Sequence, residues 1–189
     1  DMWLNEGFTS YVESRITEQL YGKDLAEMEN VISRKGLGDD MKDIASGDQL
    51  LAMAPLTGRD PDEALTQVAY IKGQWFLTFL EQRYGRDVFD KFLRGWFDSH
   101  AFTSQDSAEF ERFLQAELID KNPGKTTHEE IHEWMHAPGI PKFAKAATSA
   151  RFDAVDEART HWLAGHMKPA DIDTSAWMTQ EWVRFIEGM

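Results

Sequence analysis

Apolar residues recur every three or four positions along most of the chain, which is the spacing of amphipathic helices. The first stretch of this kind predicts a helix from about Glu6 to Tyr21. Asn5 is a candidate N-cap for it, and Gly22 is a stop signal. Glu6 and Glu13 lie on its polar face, where the helix dipole should keep Glu6 ionised and suited to a divalent metal. The predicted apolar stripe consists of Phe8, Val12, Ile16 and Leu20.

A second helix is predicted directly after the first. Asp24 and Glu27 form a capping pair at its start, and the helix should end before Gly36 and Gly38. The apolar run at residues 50–56, which Pro55 interrupts, is predicted to be extended.

A long helix is predicted over residues 64–84, after a turn cluster at residues 58–61 and before a stop at Gly85. Apolar faces and capping residues predict more helices after it. Their predicted starts are residue 86, Ser104, His128, Ser149 and Thr179. The fold class is therefore predicted to be mainly α.

Pro138, Gly139 and Pro141 cannot continue a helix and mark the best candidate for a domain boundary. We expect a first domain over residues 1–138 and a second helical domain over residues 149–189. A small basic linker over residues 139–148 should join them.

Composition excludes several classes of protein. The formal net charge of -13 argues against binding to nucleic acid or to an anionic membrane surface. No window of the sequence approaches the length of a membrane span. The chain has no cysteine, which excludes disulfide frameworks and thiolate zinc sites but leaves the cellular compartment open. Because the chain opens inside a motif and without Met, we expect it to be a piece of a longer protein.

The stretch WLNEGFTSYVE at residues 3–13 resembles a segment of the aminopeptidase N and leukotriene hydrolase family of zinc metallopeptidases, also called gluzincins. In that family the segment follows the HExxH helix, which this chain lacks at the corresponding place. The resemblance implies that Glu6 is the third ligand of a catalytic zinc ion. It also implies that Glu13 orients groups around that ion.

The stretch VAYIKG at residues 68–73 carries a second resemblance to the same family, in which a Tyr precedes Lys-Gly at the start of a long apolar helix. The resemblance implies that Tyr70 donates a hydrogen bond to the oxyanion formed when water attacks a peptide carbonyl. Lys72 would then stand near the substrate pocket. Taken alone, the pattern around Tyr70 favours an ordinary core tyrosine.

The segment DPDEALTQVAYIKG is most similar to the leukotriene hydrolase branch of that family. The resemblance implies that Asp62 borders the substrate pocket, although an acid in a turn can also have a purely local role. Where that branch carries an extra Tyr beside its lipid epoxide, this chain has Leu65. This departure favours peptide hydrolysis over epoxide hydrolysis.

Residues 128–132 spell a literal HExxH, with His128, Glu129 and His132 at the positions that a zinc peptidase uses. We interpret this motif as a decoy. Thr127 and Glu130 form a capping box that explains the acidic first turn, and the family order of motifs would place HExxH before Glu6.

The resemblance implies the helical half of a thermolysin-like, or zincin, catalytic domain, followed by the start of an all-helical C-terminal domain. The intact protein would hold one Zn ion, act on peptide substrates, and include an N-terminal part that is missing here. The 189-residue chain alone should bind zinc weakly and hydrolyse nothing, because one carboxylate is not a metal site. Two alternatives remain: a metallopeptidase that uses the motif at 128–132, and a non-catalytic helical interaction module in which Glu6 and Tyr70 are far apart or buried in the core.

Overall fold

The structure is a computed structural model, and it describes residues 1–54 and 56–189. Of the chain, 67% is helical, and the described residues form no strand, so the predicted mainly α fold is confirmed. The chain forms two compact units. The first comprises residues 1–13 and 35–145, and the second comprises residues 14–34 and 146–189. The domain limits expected at residues 138 and 149 stay a prediction.

Helices follow one another along the chain with short connections. They are α1 (Met2–Tyr21), α2 (Lys23–Asp40), α3 (Pro61–Ala64), α4 (Gly73–Tyr84), α5 (Arg86–Ser99), α6 (Ser107–Leu114), α7 (His128–His136), α8 (Ala150–Leu163) and α9 (Thr179–Glu187). Shorter elements are the π-helical turns Val68–Lys72 and Gln115–Ile119 and the 3-10 turns Ser46–Gln49 and Pro169–Asp171.

Helix α1 differs from its prediction in both its start and its buried face. It begins at Met2, so Glu6 lies beyond the first turn and the expected dipole effect at the first helical position does not apply. The buried stripe is Trp3, Gly7, Phe8 and Tyr11. The predicted stripe was wrong beyond Phe8, since Val12, Ile16 and Leu20 are 42%, 51% and 68% exposed. Trp3, which lies before the predicted start of the helix, is a core residue at 1% exposure, and the helix extends to include it.

Helix α2 also runs further than its prediction, because it passes through both Gly36 and Gly38 to Asp40. Leu37 between them is 1% exposed. Burying a leucine contributes about 1.5–3 kcal/mol, which offsets the cost of about 1 kcal/mol for each glycine in a helix. Residues 50–54 and 56 are outside helices, as expected, while Pro55 lies outside the described residues.

The later helices agree more closely with the sequence. Helix α7 begins with the predicted capping box of Thr127 and Glu130. Ser149 caps α8, and α9 begins at Thr179, both as expected. Helix α6 is the exception, because its N-cap is Asp106, whose side chain accepts from Glu109 N, rather than Ser104.

Aromatic side chains form most of the core of the first unit. The ring of Trp3 lies 5.9 Å from that of Phe76 and 5.1 Å from that of Phe110, both edge to face. The indole N–H of Trp3 donates to Ser107 Oγ at 2.9 Å. Because Trp3 is held on several sides, the beginning of α1 is fixed, and Glu6 follows one helical turn later.

The second unit has a smaller core at the pairing of α8 with α9. Phe152, Val155 and Phe185 are the buried apolar residues of these two helices. Glu181 is 3% exposed, and it accepts hydrogen bonds from Arg151 Nε at 2.9 Å and from Met178 N at 2.7 Å. A buried carboxylate of this kind needs such partners.

Candidate active site

Glu6 and Tyr70 meet in the first unit of the structure. Glu6 stands half-buried on α1, and Tyr70 stands half-buried in the π-helical turn Val68–Lys72. The phenol of Tyr70 lies close enough to the carboxylate of Glu6 for the two groups to interact. The pKa of Tyr70 is raised by partial burial, and further by the nearby negative charge of Glu6, which favours the protonated phenol. The phenol therefore remains protonated, and a hydrogen-bond donor, at neutral pH.

The predicted helix over 64–84 is interrupted where Tyr70 lies. Helix α3 ends at Ala64, and a π-helical turn precedes α4. In this turn Gly73 N–H donates to Val68 O, five residues back. Single π-helical turns inside helices are rare and occur often at functional sites, because the extra residue redirects neighbouring side chains. The helical periodicity of the sequence could not reveal this turn.

Lys72 closes the π-helical turn and is completely buried. Its Nζ donates to Gln49 O at 2.8 Å and to Ala137 O at 2.7 Å. Burial lowers the pKa of Lys72 to about 8, against a smaller opposing effect of Glu133. The ammonium group thus connects the turn that carries Tyr70 to the segment around Gln49 and to the end of α7.

Gln49 extends this buried polar network. Its Nε2 donates to Met41 O at 2.9 Å and to Ile44 O at 2.7 Å, and its Oε1 accepts from Gly139 N at 2.9 Å. The amide therefore satisfies three backbone groups in two separate loops, whose burial without partners would be costly. Sequence reasoning assigned Gln49 no role, since nothing local distinguishes it from a surface glutamine.

Glu13 and Asp62 have exposed side chains. Glu13 lies on α1 about two turns after Glu6. Asp62 lies in the first turn of α3, where its backbone N–H donates to Asp60 Oδ1 at 3.0 Å. The N-cap of α3 is therefore Asp60. The roles of Glu13 around a metal, and of Asp62 and Lys72 beside the substrate, stay predictions.

A pocket of about 320 Å³ lies between the start of α1 and the segment before Tyr70, and neither Glu6 nor Tyr70 is part of its wall. Trp3, one turn before Glu6, and Ala69, directly before Tyr70, belong to its wall. Most of the remaining wall is apolar and includes Leu50, Leu51, Met53, Leu56, Ala64 and Val68. Residues 50–56 were predicted only as an extended run, but an extended apolar stretch that interrupts a helical chain was a usable signal for such a wall.

His128, Glu129 and His132 lie exposed at the start of α7. The His128 and His132 rings are 6.5 Å apart, and the His132 and His136 rings are 5.0 Å apart. His136 Nε2 lies 2.8 Å from Glu111 Oε1. Across residues 1–54 and 56–189, no group of three or more His, Asp, Glu or Cys side chains is arranged to hold a metal ion.

Residues 1–137 match the Peptidase family M1 domain. The match covers well over half of the chain, so the chain belongs to peptidase family M1, and the predicted family is confirmed. In the described part of the chain, none of the helices has both the length and the apolar character of a membrane span.

Among known proteins, the chain is similar to a leucine aminopeptidase and to a leukotriene A-4 hydrolase homolog. It is 32% identical over 195 residues to leucine aminopeptidase 2 of Aspergillus clavatus, with 98% of this chain and 31% of the relative covered. It is 29% identical over 188 residues to a leukotriene A-4 hydrolase homolog of Botryotinia fuckeliana, covering 98% of this chain and 29% of the relative. The chain thus spans about a third of the length of these curated relatives.

Among solved structures, native leukotriene A4 hydrolase from Saccharomyces cerevisiae superposes with a TM-score of 0.86 at 26% identity. The match covers 99% of this chain and 32% of that one. The same enzyme in complex with bestatin gives a TM-score of 0.83. The chain therefore has the fold of the helical part of a zincin-type enzyme.

Proposed function

We propose that this chain supplies part of the active site of a zinc-dependent aminopeptidase, with Glu6 as a zinc ligand and Tyr70 as the donor to the oxyanion. The pairing of the Glu6 carboxylate with the Tyr70 phenol carries this proposal. Membership of peptidase family M1 supports it independently. A non-catalytic helical module would have no reason to hold these two side chains together at a half-exposed position.

The Glu6 carboxylate fits one position of a zinc site. It is half-exposed and lies beside Tyr70, and even a carboxylate that accepts one hydrogen bond retains lone pairs for a metal. Zinc sites with two histidines and one glutamate are typical of metallopeptidases, and bound zinc polarises a carbonyl and lowers the pKa of water. The two histidines and the general base would come from outside residues 1–189. We therefore expect the chain alone to bind zinc weakly and to hydrolyse nothing.

Tyr70 suits the role of a neutral donor. The raised pKa keeps its proton on the phenol at the pH where a peptidase works. Removal of one donor to an oxyanion typically lowers kcat by about 10²–10³-fold.

The apolar pocket suggests the kind of substrate group that lies beside the site. Its volume of about 320 Å³ and its wall of Leu, Met, Ala and Trp side chains suit an apolar side chain at the substrate N-terminus. The name leucine aminopeptidase 2, carried by several relatives, agrees with this preference. Leu65 offers no polar donor, so the proposal is restricted to peptide hydrolysis.

The experiment that tests the proposal uses the intact protein that contains these residues. Tyr70→Phe should lower kcat for a leucyl-arylamide by about 10²–10³-fold with little change in KM. Glu6→Gln should release zinc, measured by metal analysis after dialysis. Tyr21→Phe and Glu29→Gln are matched controls at exposed positions and should retain activity and zinc. Full activity of Tyr70→Phe, or full zinc content in Glu6→Gln, would refute the assignment.

A further inference from the structure

A pair of glycines lies beside Glu6 and Tyr70. Gly7 follows Glu6 on α1, and Gly73 begins α4 one turn after Tyr70. We propose that Gly7 and Gly73 are positioning residues, whose backbone contact sets the separation of the Glu6 carboxylate and the Tyr70 phenol. This inference rests on the proposed function, because it explains how the two site residues are held at a working distance.

The two helices approach each other through bare backbone at this point. A Cβ atom on Gly7 would lie 2.9 Å from Gly73 Cα and 3.2 Å from Ala69 O. A Cβ atom on Gly73 would lie 2.9 Å from Gly7 Cα. Neither position therefore has room for a side chain, and the obstructing atoms are backbone atoms that cannot rotate away.

Space, rather than backbone conformation, is what requires glycine here. Gly73 has φ -59° and ψ -50°, which are ordinary α-helical values that alanine prefers. In this respect Gly73 differs from Gly85, whose φ of 87° favours glycine for conformational reasons. A glycine inside a helix lowers the stability of that helix. Its presence where the backbones of α1 and α4 touch therefore indicates that the two helices need to approach closely.

The contact is made by the atoms that adjoin the site residues. Gly7 is bonded to Glu6, and the carbonyl that faces Gly7 belongs to Ala69, which is bonded to Tyr70. The ring of Trp3 would lie 3.5 Å from a Cβ atom on Gly73 and fills the adjacent space. No flexible side chain lies between these backbones to absorb a change in their spacing, so a change moves Glu6 relative to Tyr70.

The expected displacement follows from the contact distances. To move from 2.9 Å to an ordinary contact of at least 3.4 Å, the helices must shift by at least 0.5 Å. A misplacement of about 1 Å in a catalytic group can cost about 10²-fold in rate. We therefore expect Gly7→Ala or Gly73→Ala in the intact protein to lower kcat by about 10-fold, with a smaller effect on KM.

Helix α2 provides matched controls. Gly36 and Gly38 are also helical, and nothing lies within 4 Å of a Cβ atom placed on either of them. Gly36→Ala and Gly38→Ala therefore add the same methyl group to a helix without a steric contact. They should leave kcat unchanged and should not lower the melting temperature.

The direct test is NMR of the 189-residue chain labelled with ¹³C at tyrosine Cζ, recorded at pH 7. Tyr70→Phe assigns the Tyr70 signal. Glu6→Gln should shift this signal in the parent chain and in Gly36→Ala, because the negative charge beside the phenol is removed. In Gly73→Ala the same substitution should shift the signal by less than in the parent chain, because the two groups are further apart. An undiminished response in folded Gly73→Ala would overturn the proposal.

A second measurement covers the case in which both alanine variants fail to fold. In the unsubstituted chain, a close crossing predicts a strong nuclear Overhauser effect between the α protons of Gly7 and Gly73. Its absence would overturn the proposal. The two ideas also fail differently. If Tyr70→Phe retains full activity while the glycine variants still uncouple the pair, the proposed function fails and the positioning contact stands. If Tyr70→Phe loses activity but Glu6→Gln still shifts the Tyr70 signal fully in Gly73→Ala, the proposed function stands and the positioning contact fails.

Discussion

Burial of the Lys72 ammonium makes the stability of the chain depend on pH. The pKa of Lys72 falls from 10.5 to about 8 on folding, a difference worth about 3 kcal/mol. Between these two values the unfolded chain holds a proton that the folded chain has released, so the free energy of unfolding rises with pH. Below pH 8 both states are protonated, and the folded chain carries the full cost of the buried charge.

The assay is urea unfolding followed by circular dichroism at pH 7, 8, 9 and 10, for the parent chain and for Lys72→Met. The parent should gain about 1.4 kcal/mol per pH unit above pH 8 relative to the variant. The difference in unfolding free energy between the two chains at pH 7 is less informative. Methionine removes the buried charge, but it also leaves the carbonyls of Gln49 and Ala137 without their hydrogen-bond donor. The slope isolates the titration of Lys72.

Lys91 is an exposed lysine on α5, and Lys91→Met is the matched control. Its unfolding free energy should follow the parent at every pH. If the parent and Lys72→Met show parallel pH dependence, Lys72 does not titrate in this window and the argument from burial is refuted.

Two further predictions concern local stability in each unit, both measured by urea unfolding. Asp106→Ala should cost about 1 kcal/mol through loss of the α6 cap, whereas Ser104→Ala should be neutral. If Ser104→Ala costs more, the cap is wrongly assigned. Glu181→Ala should cost about 3–5 kcal/mol, because it leaves Arg151 without its buried partner. Glu187→Ala, at an exposed position of α9, is its control, and an equal loss in both would contradict a special role for Glu181.

The sequence predicted most helices but not which side of α1 is buried. Two stripes in this stretch have helical spacing, and the larger apolar count favoured the one through Val12 and Ile16. The buried stripe passes instead through Gly7, which carries no hydrophobic signal. Gly7 is buried against Gly73, which is distant in sequence. Because neither residue has a side chain, the sequence gives no hydrophobic pattern from which this contact could be predicted.

The candidate site was predictable only where a resemblance named its residues. Periodicity alone left Tyr70 as a core tyrosine and Glu6 as a first-turn acid. Their pairing depends on the π-helical turn Val68–Lys72 and on the burial of Lys72, which are tertiary effects. The same limitation explains why Gln49 was missed. Its side chain forms hydrogen bonds with backbone groups that come near it only in the folded chain.

The π-helical turn has a consequence for how this protein can change in evolution. Its hydrogen bond spans five residues, from Gly73 N–H to Val68 O. Deleting one residue from the stretch would restore a regular helix and would turn the Tyr70 side chain by about 100° around the axis. Point substitutions at Val68 or Ala69 preserve the direction of Tyr70, whereas a single-codon deletion there does not. We therefore expect this segment to tolerate substitutions far more readily than insertions or deletions during evolution.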